Sequence, residues 1–251
     1  MAVNYFCSGF DNNNVFGGKL GDRIKNDLKE TKSIVYIPGG MSKIEKTREK
    51  YIPIFTDAFK KIGIVFDDVY LITTDMDSEE ATEIVKNASF VILMGGCPYE
   101  QKELCQKLDL LDTLKKYDGV LLGMSAGAML MSKNIIIVPC SLEYSDFHIE
   151  EGLNMSGISI YPHNNFSGVE FPDKVVLEEE ITKTSDLIKV SKEYGEFYLL
   201  QDNWIEEDEK VEVSLIRTNG DEIEFITINN GRLWKTTGNG IELVNLEKHN
   251  I

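Results

Sequence analysis

The sequence predicts an α/β fold, a mostly parallel sheet sandwiched by helices and finished by antiparallel β-hairpins at the C-terminus. Three observations carry that expectation. In the first half of the chain, short apolar runs alternate with helix-period patterns, the mark of a parallel sheet covered by helices. Several of those runs end in glycine, where a chain leaving a strand must turn sharply. The tail instead shows strand-like runs separated by Asn219-Gly220 and Asn230-Gly231, two strong hairpin turns.

Taken in order, Ser33–Pro38 reads as a buried strand closed by Pro38-Gly39-Gly40. Tyr51, Phe55, Ala58, Phe59 and Ile62 then recur at helical spacing, with Pro53 near the start and Gly63 as the stop. A strand at Asp68–Ile72 is followed by an acidic-led helix from Asp77 or Ser78 to Asn87. Ser89–Met94 is a strand running into Gly95-Gly96, and one helix is expected through Leu104, Leu108, Leu111 and Leu114. Gly119–Gly123 is a strand that delivers Met124-Ser125-Ala126-Gly127-Ala128. Beyond it, Ile135–Val138 and Gly157–Tyr161 read as strands, Leu142–Glu151 as an acidic loop, and Glu178–Tyr194 as a charged helix. Gly195–Leu200 is a strand ending at Gln201-Asp202-Asn203, and the tail strands are Val211–Arg217, Glu222–Ile228 and Leu233–Thr236. Without a Pro-, Gly- or Ser-rich linker, the expectation is one domain over residues 1–251, with a core at about 30–205 and an antiparallel extension at about 206–246.

Composition narrows the function. With 26 Lys+Arg against 42 Asp+Glu the formal net charge is −16, which repels phosphate backbones and anionic bilayers, so neither nucleic acid nor membrane is an expected partner. No apolar run reaches the roughly 20 residues of a membrane span, and the N-terminus lacks the pattern of a signal peptide, so a cytoplasmic address is expected. Four cysteines (Cys7, Cys97, Cys105, Cys140) and three histidines (His148, His163, His249) form neither a disulfide framework nor a zinc signature. No metal and no cofactor are called for.

Gly123-Met124-Ser125-Ala126-Gly127 matches G-x-S-x-G between a buried strand and a helix start, where the glycines allow a tight turn that exposes the serine hydroxyl. A nucleophilic serine needs a base and an oxyanion hole. The neighbouring strand ends at Gly95-Gly96, which makes the N–H of Gly96 and that of Ala126 the expected oxyanion donors. Among the histidines His163 follows a strand and a proline, whereas His148 lies in an acidic loop and His249 close to the C-terminus. For the orienting acid, Asp202 at a strand end comes first, with Glu143 as the alternative.

Together with Tyr36-Ile37-Pro38, Met94-Gly95-Gly96, Tyr161-Pro162-His163 and Asp202-Asn203-Trp204-Ile205, that elbow resembles the peptidase S51 family of peptidase E-like and cyanophycinase-like hydrolases. The resemblance covers most of residues 30–205. It implies a class I glutamine amidotransferase-like, flavodoxin-like sandwich, with Ser125 as nucleophile, His163 as base and Gly96 as an oxyanion donor. Family patterns place the acid either at the position of Asp202 or in the loop after the elbow, near Cys140 to Glu143 here. Aspartate-reading members carry arginine and glutamine shortly after the histidine, whereas residues 164–174 here hold no arginine.

The leading expectation is a serine-type peptidase hydrolysing short peptides through a Ser-His-acid triad. Its alternatives are an α/β-hydrolase-type esterase using His249 as base, and a non-catalytic ligand-binding member of the same fold. Amidotransferases of this architecture attack with an elbow cysteine, but Ser125 holds that place and Cys97 reads as a loop residue near the pocket. A lid is expected from residues 142–154 or 164–174, and the antiparallel tail offers either a homodimer surface or a cover for a sheet edge.

Overall fold

The computed structural model describes residues 2–139, 146–164, 174–177, 180–202, 212–228 and 231–245. In chain order it runs β1 (Val3–Cys7), α1 (Lys19–Asp27), β2 (Ser33–Gly39), a 3₁₀ turn (Met41–Lys43), α2 (Ile44–Lys46), a π-helical turn (Thr47–Tyr51) and α3 (Ile52–Lys61). There follow β3 (Asp68–Leu71), α4 (Ser78–Lys86), β4 (Phe90–Gly96), α5 (Pro98–Lys107), α6 (Leu110–Lys116), β5 (Val120–Met124) and α7 (Ala126–Met131). The second half comprises β6 (Asn134–Ile137), β7 (His148–Glu151), β8 (Ile160–Tyr161), β9 (Lys174–Leu177), β10 (Glu180–Lys183), α8 (Thr184–Tyr194) and β11 (Tyr198–Leu200). Last come β12 (Val213–Asn219), β13 (Glu222–Ile228), β14 (Leu233–Thr236) and β15 (Ile241–Leu243).

The main sheet has seven strands in the order β13-β12-β1-β5-β4-β2-β3. Strands β1, β5, β4, β2 and β3 are parallel, while β12 and β13 add to β1 antiparallel. The central strands are continuous apolar runs because both of their faces are covered. Alternate residues feed two separate cores. Val35, Ile37, Val91, Leu93 and Leu121 join the core under α4 to α7. Ile34, Tyr36, Phe90, Ile92, Val120 and Leu122 join the core under α1 and α3. The helices face this sheet by their own spacing, with Leu20 and Ile24 of α1, and Phe55, Ala58 and Phe59 of α3, turned inward. Asp77 caps α4, its carboxylate accepting the Glu80 N–H at 2.8 Å. A second sheet, β15-β14-β11-β8, holds β8 and β11 side by side and parallel.

Several elements differ from the sequence expectation, each for a reason in the chain. The helix expected through Leu104 and Leu114 is two, α5 and α6, because Asp109 takes a left-handed conformation (φ 54°) between them. Residues 148–151, expected as loop, pair as β7 with β6. Residues 178–183, expected as the start of a helix, include β10, which pairs with β9, and the helix begins only at Thr184. Val175-Val176 and Ile181-Thr182 are β-branched pairs, which favour a pleated strand over a helix. The N-terminal strand β1 was not anticipated, and the main sheet draws on it and on β12 and β13, beyond the 30–205 span expected for the core. Asn219 and Gly220 turn β12 into β13 as expected, whereas β13 and β14 lie in different sheets. Among the described residues no helix is long and apolar enough to cross a membrane.

Candidate active site

The site is built at the carboxyl ends of the parallel strands. Strand β5 ends at Met124, and Ser125 stands between it and α7 with φ 51° and ψ −112°. A non-glycine residue in that region costs of order 1–3 kcal/mol and persists only when its surroundings fix it. Here the Ser125 N–H donates to the Cys7 carbonyl at the end of β1 (2.9 Å), and its own carbonyl accepts the Met129 N–H (3.0 Å). The two glycines of the motif answer to close approach. A Cβ on Gly123 would stand 2.6 Å from the Ala128 nitrogen, and one on Gly127 would stand 2.1 Å from the Leu93 carbonyl oxygen. Any side chain there would lever α7 off β4 and β5 and carry Ser125 with it.

The second sheet supplies the partners. Strand β8 leads through Pro162 to His163, and the adjacent parallel strand β11 leads to Asp202. Their pairing, Tyr198 opposite Ile160 and Leu199 opposite Tyr161, is extended by the Asn164 N–H donating to the Leu200 carbonyl (2.9 Å). Two strand ends thus present His163 and Asp202 together. The Ser125 Oγ lies 2.6 Å from His163 Nε2, and His163 Nδ1 lies 2.8 Å from Asp202 Oδ2. A carboxylate only accepts, so the imidazole places its hydrogen on Nδ1 and leaves Nε2 to accept from the serine hydroxyl. Asp202 is fully buried and the His163 side chain is 16% exposed. His163, like Ser125, occupies a positive-φ backbone (59°).

The oxyanion candidates flank the serine. Ala126 is the first residue of α7, so its N–H is one that the helix itself leaves without a partner. Gly95 and Gly96 end β4 beside Ser125, and a Cβ on Gly95 would stand 3.5 Å from that of Ser125. Glu143 and His249 lie outside the described residues, as does Cys140. His148 stands on β7, where its Nε2 is 3.1 Å from Glu150 Oε1. Cys97 stands half-buried at the N-cap position of α5, with no side-chain hydrogen bond to the helix.

Ser125, His163, Gly95 and Gly96 open onto a cavity of about 320 Å³. One wall is apolar, formed by Phe10, Val15, Ile54 and Phe55. Lys43, Lys46, Lys50 and Tyr51, from the helical segment after β2, form another. Neither wall was anticipated. The lysines carry one signal, an i, i+3, i+7 spacing that puts them on one helix face.

An elbow serine bonded to an imidazole that is bonded to a buried carboxylate, on the strand ends of a three-layer α/β sandwich, is the architecture of a hydrolase. The chain belongs to peptidase family S51, whose model matches residues 8–242. It is 29% identical over 151 residues to a peptidase E of Nostoc sp. (strain PCC 7120 / SAG 25.82 / UTEX 2576), a match covering 56% of this chain and 56% of that protein. The chain thus spans about half the length of that relative. A peptidase from an acI-B1 actinobacterium superposes with a TM-score of 0.59 at 16% identity, over 98% of this chain and 94% of its own. A Listeria monocytogenes EGD-e protein with a provisional peptidase E assignment gives 0.56 at 15% identity, over 91% and 100%. These two likenesses concern the fold.

Proposed function

We propose that the chain is a serine-type peptidase that hydrolyses short peptides. The Ser125 Oγ attacks the scissile carbonyl carbon while its proton passes to His163 Nε2. Asp202 holds the ring and stabilises the imidazolium that results. The carbonyl oxygen, now an anion, is received by the N–H groups of Ala126 and Gly96. Collapse of the tetrahedral adduct breaks the C–N bond, the leaving amine takes the proton from Nε2, and an ester to Ser125 remains. Water then attacks that ester with His163 again as base, releasing the acid and restoring the hydroxyl.

The 2.6 Å contact between Ser125 Oγ and His163 Nε2, with the serine fixed on a strained elbow, is the observation that carries this reading. A cavity of about 320 Å³ at the small end of the usual range for ligand pockets supports a substrate of a few residues. The test is labelling of the native protein by a fluorophosphonate. Labelling that disappears in Ser125→Ala and in His163→Ala, with both variants folded by circular dichroism, is expected. A folded protein that takes up no label, or Ser125→Ala that is still labelled, overturns the reading and leaves the cavity a binding site.

A further inference from the structure

The element after β2 is electrically lopsided. Of its two acids, Glu45 ion-pairs with Arg48 three residues on, and neither Glu45 nor Glu49 lines the cavity. The opposite face carries Lys43, Lys46 and Lys50, all lining the cavity that holds Ser125 and His163. Among the described residues none of these three ammonium groups has a carboxylate partner. That is unexpected in a chain with 42 acids to 26 bases. Like charges at helical spacing repel one another, so their grouping costs stability that an incoming anion would return.

The segment holds them in place. The Thr47 hydroxyl, from a buried residue, donates to the Lys43 carbonyl (2.8 Å), and the turn from Thr47 to Tyr51 is π-helical, a rare widening that recurs at functional sites. Lys46 and Lys50 place their nitrogens 5.6 Å and 5.9 Å from the centre of the Tyr51 ring, within cation–π range.

We infer that Lys43, Lys46 and Lys50 form an anion-reading wall of the active-site cavity that selects short peptides carrying a carboxylate. The inference rests on the cavity being the peptide site proposed above, and it assigns specificity to an element other than the arginine-free segment after His163. Ammonium groups are point charges on flexible stems, without the fixed fork of a guanidinium. The wall therefore reads charge and tolerates its placement, on an acidic side chain or at the peptide's own C-terminus.

The experiment measures binding by titration calorimetry in Ser125→Ala protein, where no hydrolysis intervenes. Its probes are a tripeptide with an acidic side chain and a free C-terminus, its C-terminally amidated form, its Asn-for-Asp counterpart, and the doubly neutral peptide. The comparison protein adds Lys43→Gln, Lys46→Gln and Lys50→Gln, exposed positions whose change relieves their mutual repulsion and does not lower the melting temperature. An exposed ion pair is worth roughly 1.4- to 5-fold, so about tenfold weaker binding of the acidic peptide is expected for the three together. Binding of the doubly neutral peptide stays unchanged, and the advantage of the acidic peptide shrinks as salt is raised. The amidated and Asn-containing arms identify which carboxylate is read.

An equal loss for charged and neutral peptides overturns the inference, as does a loss under twofold or the absence of any binding. Fluorophosphonate labelling reports on Ser125 alone. A labelled enzyme indifferent to the lysine changes loses the subsite and keeps the peptidase reading, whereas lysine-dependent binding without labelling does the reverse.

Discussion

Replacing Asp202 by asparagine separates the chemistry of the site from its shape. The carboxylate is fully buried, with Oδ2 2.8 Å from His163 Nδ1, and the amide keeps its volume. Two losses follow. When Ser125 gives up its proton the ring becomes an imidazolium, and at a charge separation of roughly 4 Å a carboxylate stabilises it by about 4 kcal/mol at an effective dielectric of about 20. That is close to a thousandfold in rate, at roughly 1.4 kcal/mol per decade. The asparagine NH₂ can also donate to Nδ1, which moves the imidazole hydrogen to Nε2, where it can no longer accept from the serine. In a Ser-His-Asp triad the same exchange costs about 10⁴ in kcat. The expected outcome for Asp202→Asn is therefore a fluorophosphonate labelling rate lower by about 10³ to 10⁴, with KM for peptides little changed. Thermal melts run in parallel should match the parent, since an isosteric exchange opens no cavity. Glu143→Gln serves as the companion, expected within a few-fold of the parent. A well-folded Asp202→Asn protein within tenfold of the parent would refute the assignment, and a collapse in Glu143→Gln would transfer it.

Gly127→Ala is expected to lower the melting temperature, because its Cβ would meet the backbone oxygen of Leu93 at 2.1 Å and force α7 away from β4. Overpacking of this kind costs about 1–3 kcal/mol, at about 2–4 °C per kcal/mol for a chain of this size, and labelling of Ser125 should fall with it. A variant that melts and labels like the parent would show that α7 is free to shift. Stability should also fall at alkaline pH. Burial pushes the Cys105 thiol up to about 12 from its ordinary 9.0, and it raises the Cys7 thiol and the Tyr5, Tyr36 and Tyr117 phenols further. The unfolded chain loses these protons first, so stability is whole below about pH 9 and declines as pH climbs, by up to about 1.4 kcal/mol per pH unit for each group in play. A denaturant midpoint that stays level from about pH 7 to about pH 11 would contradict this. In the native protein alkylation mapped by mass spectrometry should spare Cys7 and Cys105 and modify half-buried Cys97. Rapid modification of Cys105 would be inconsistent with its burial.

Much of the fold could be read because its central strands are covered on both faces. Residues 34–37, 90–94 and 120–123 are apolar and buried along their whole length, and short apolar runs between helix-period segments admit few other meanings. Helix ends with local chemistry were equally legible, as at Asp77, whose cap needs only the next three residues. What escaped depends on distant partners. Val3–Cys7 is a five-residue strand whose identity comes from pairing with Asn219–Leu215 on one side and Val120–Met124 on the other. Its Asn4, buried and bonded to Ser156 and Thr218, makes it look less like a core strand than it is. Similarly, nothing local says that β12 and β13 widen the main sheet while β14 joins β11, since hairpin turns specify which strands follow one another but not which sheet they enter.

The site divides along the same line. Ser125 could be read because its geometry is enforced by neighbours in sequence: a helix that starts on the floor of the sheet demands glycine at 123 and 127, and that demand is written as a motif. His163 and Asp202 could be nominated as strand-end residues but not joined, because their meeting depends on β8 and β11 lying side by side although their first pairing partners, Ile160 and Tyr198, are 38 positions apart in sequence. The lysine wall is the extreme case. The spacing of Lys43, Lys46 and Lys50 is visible, yet in an acidic, charge-rich chain three cations on a helix face ordinarily describe a solvated surface. Only the descent of β2 into a helical segment bent over the elbow turns that face toward Ser125. Ser125 and the glycines beside it therefore sit where backbone strain and close packing leave the sequence little choice, whereas the three lysines stand on an exposed segment. Exchanging those lysines can change which peptides bind while leaving the Ser125–His163–Asp202 geometry intact, and that separability is what the paired labelling and binding measurements are built to detect.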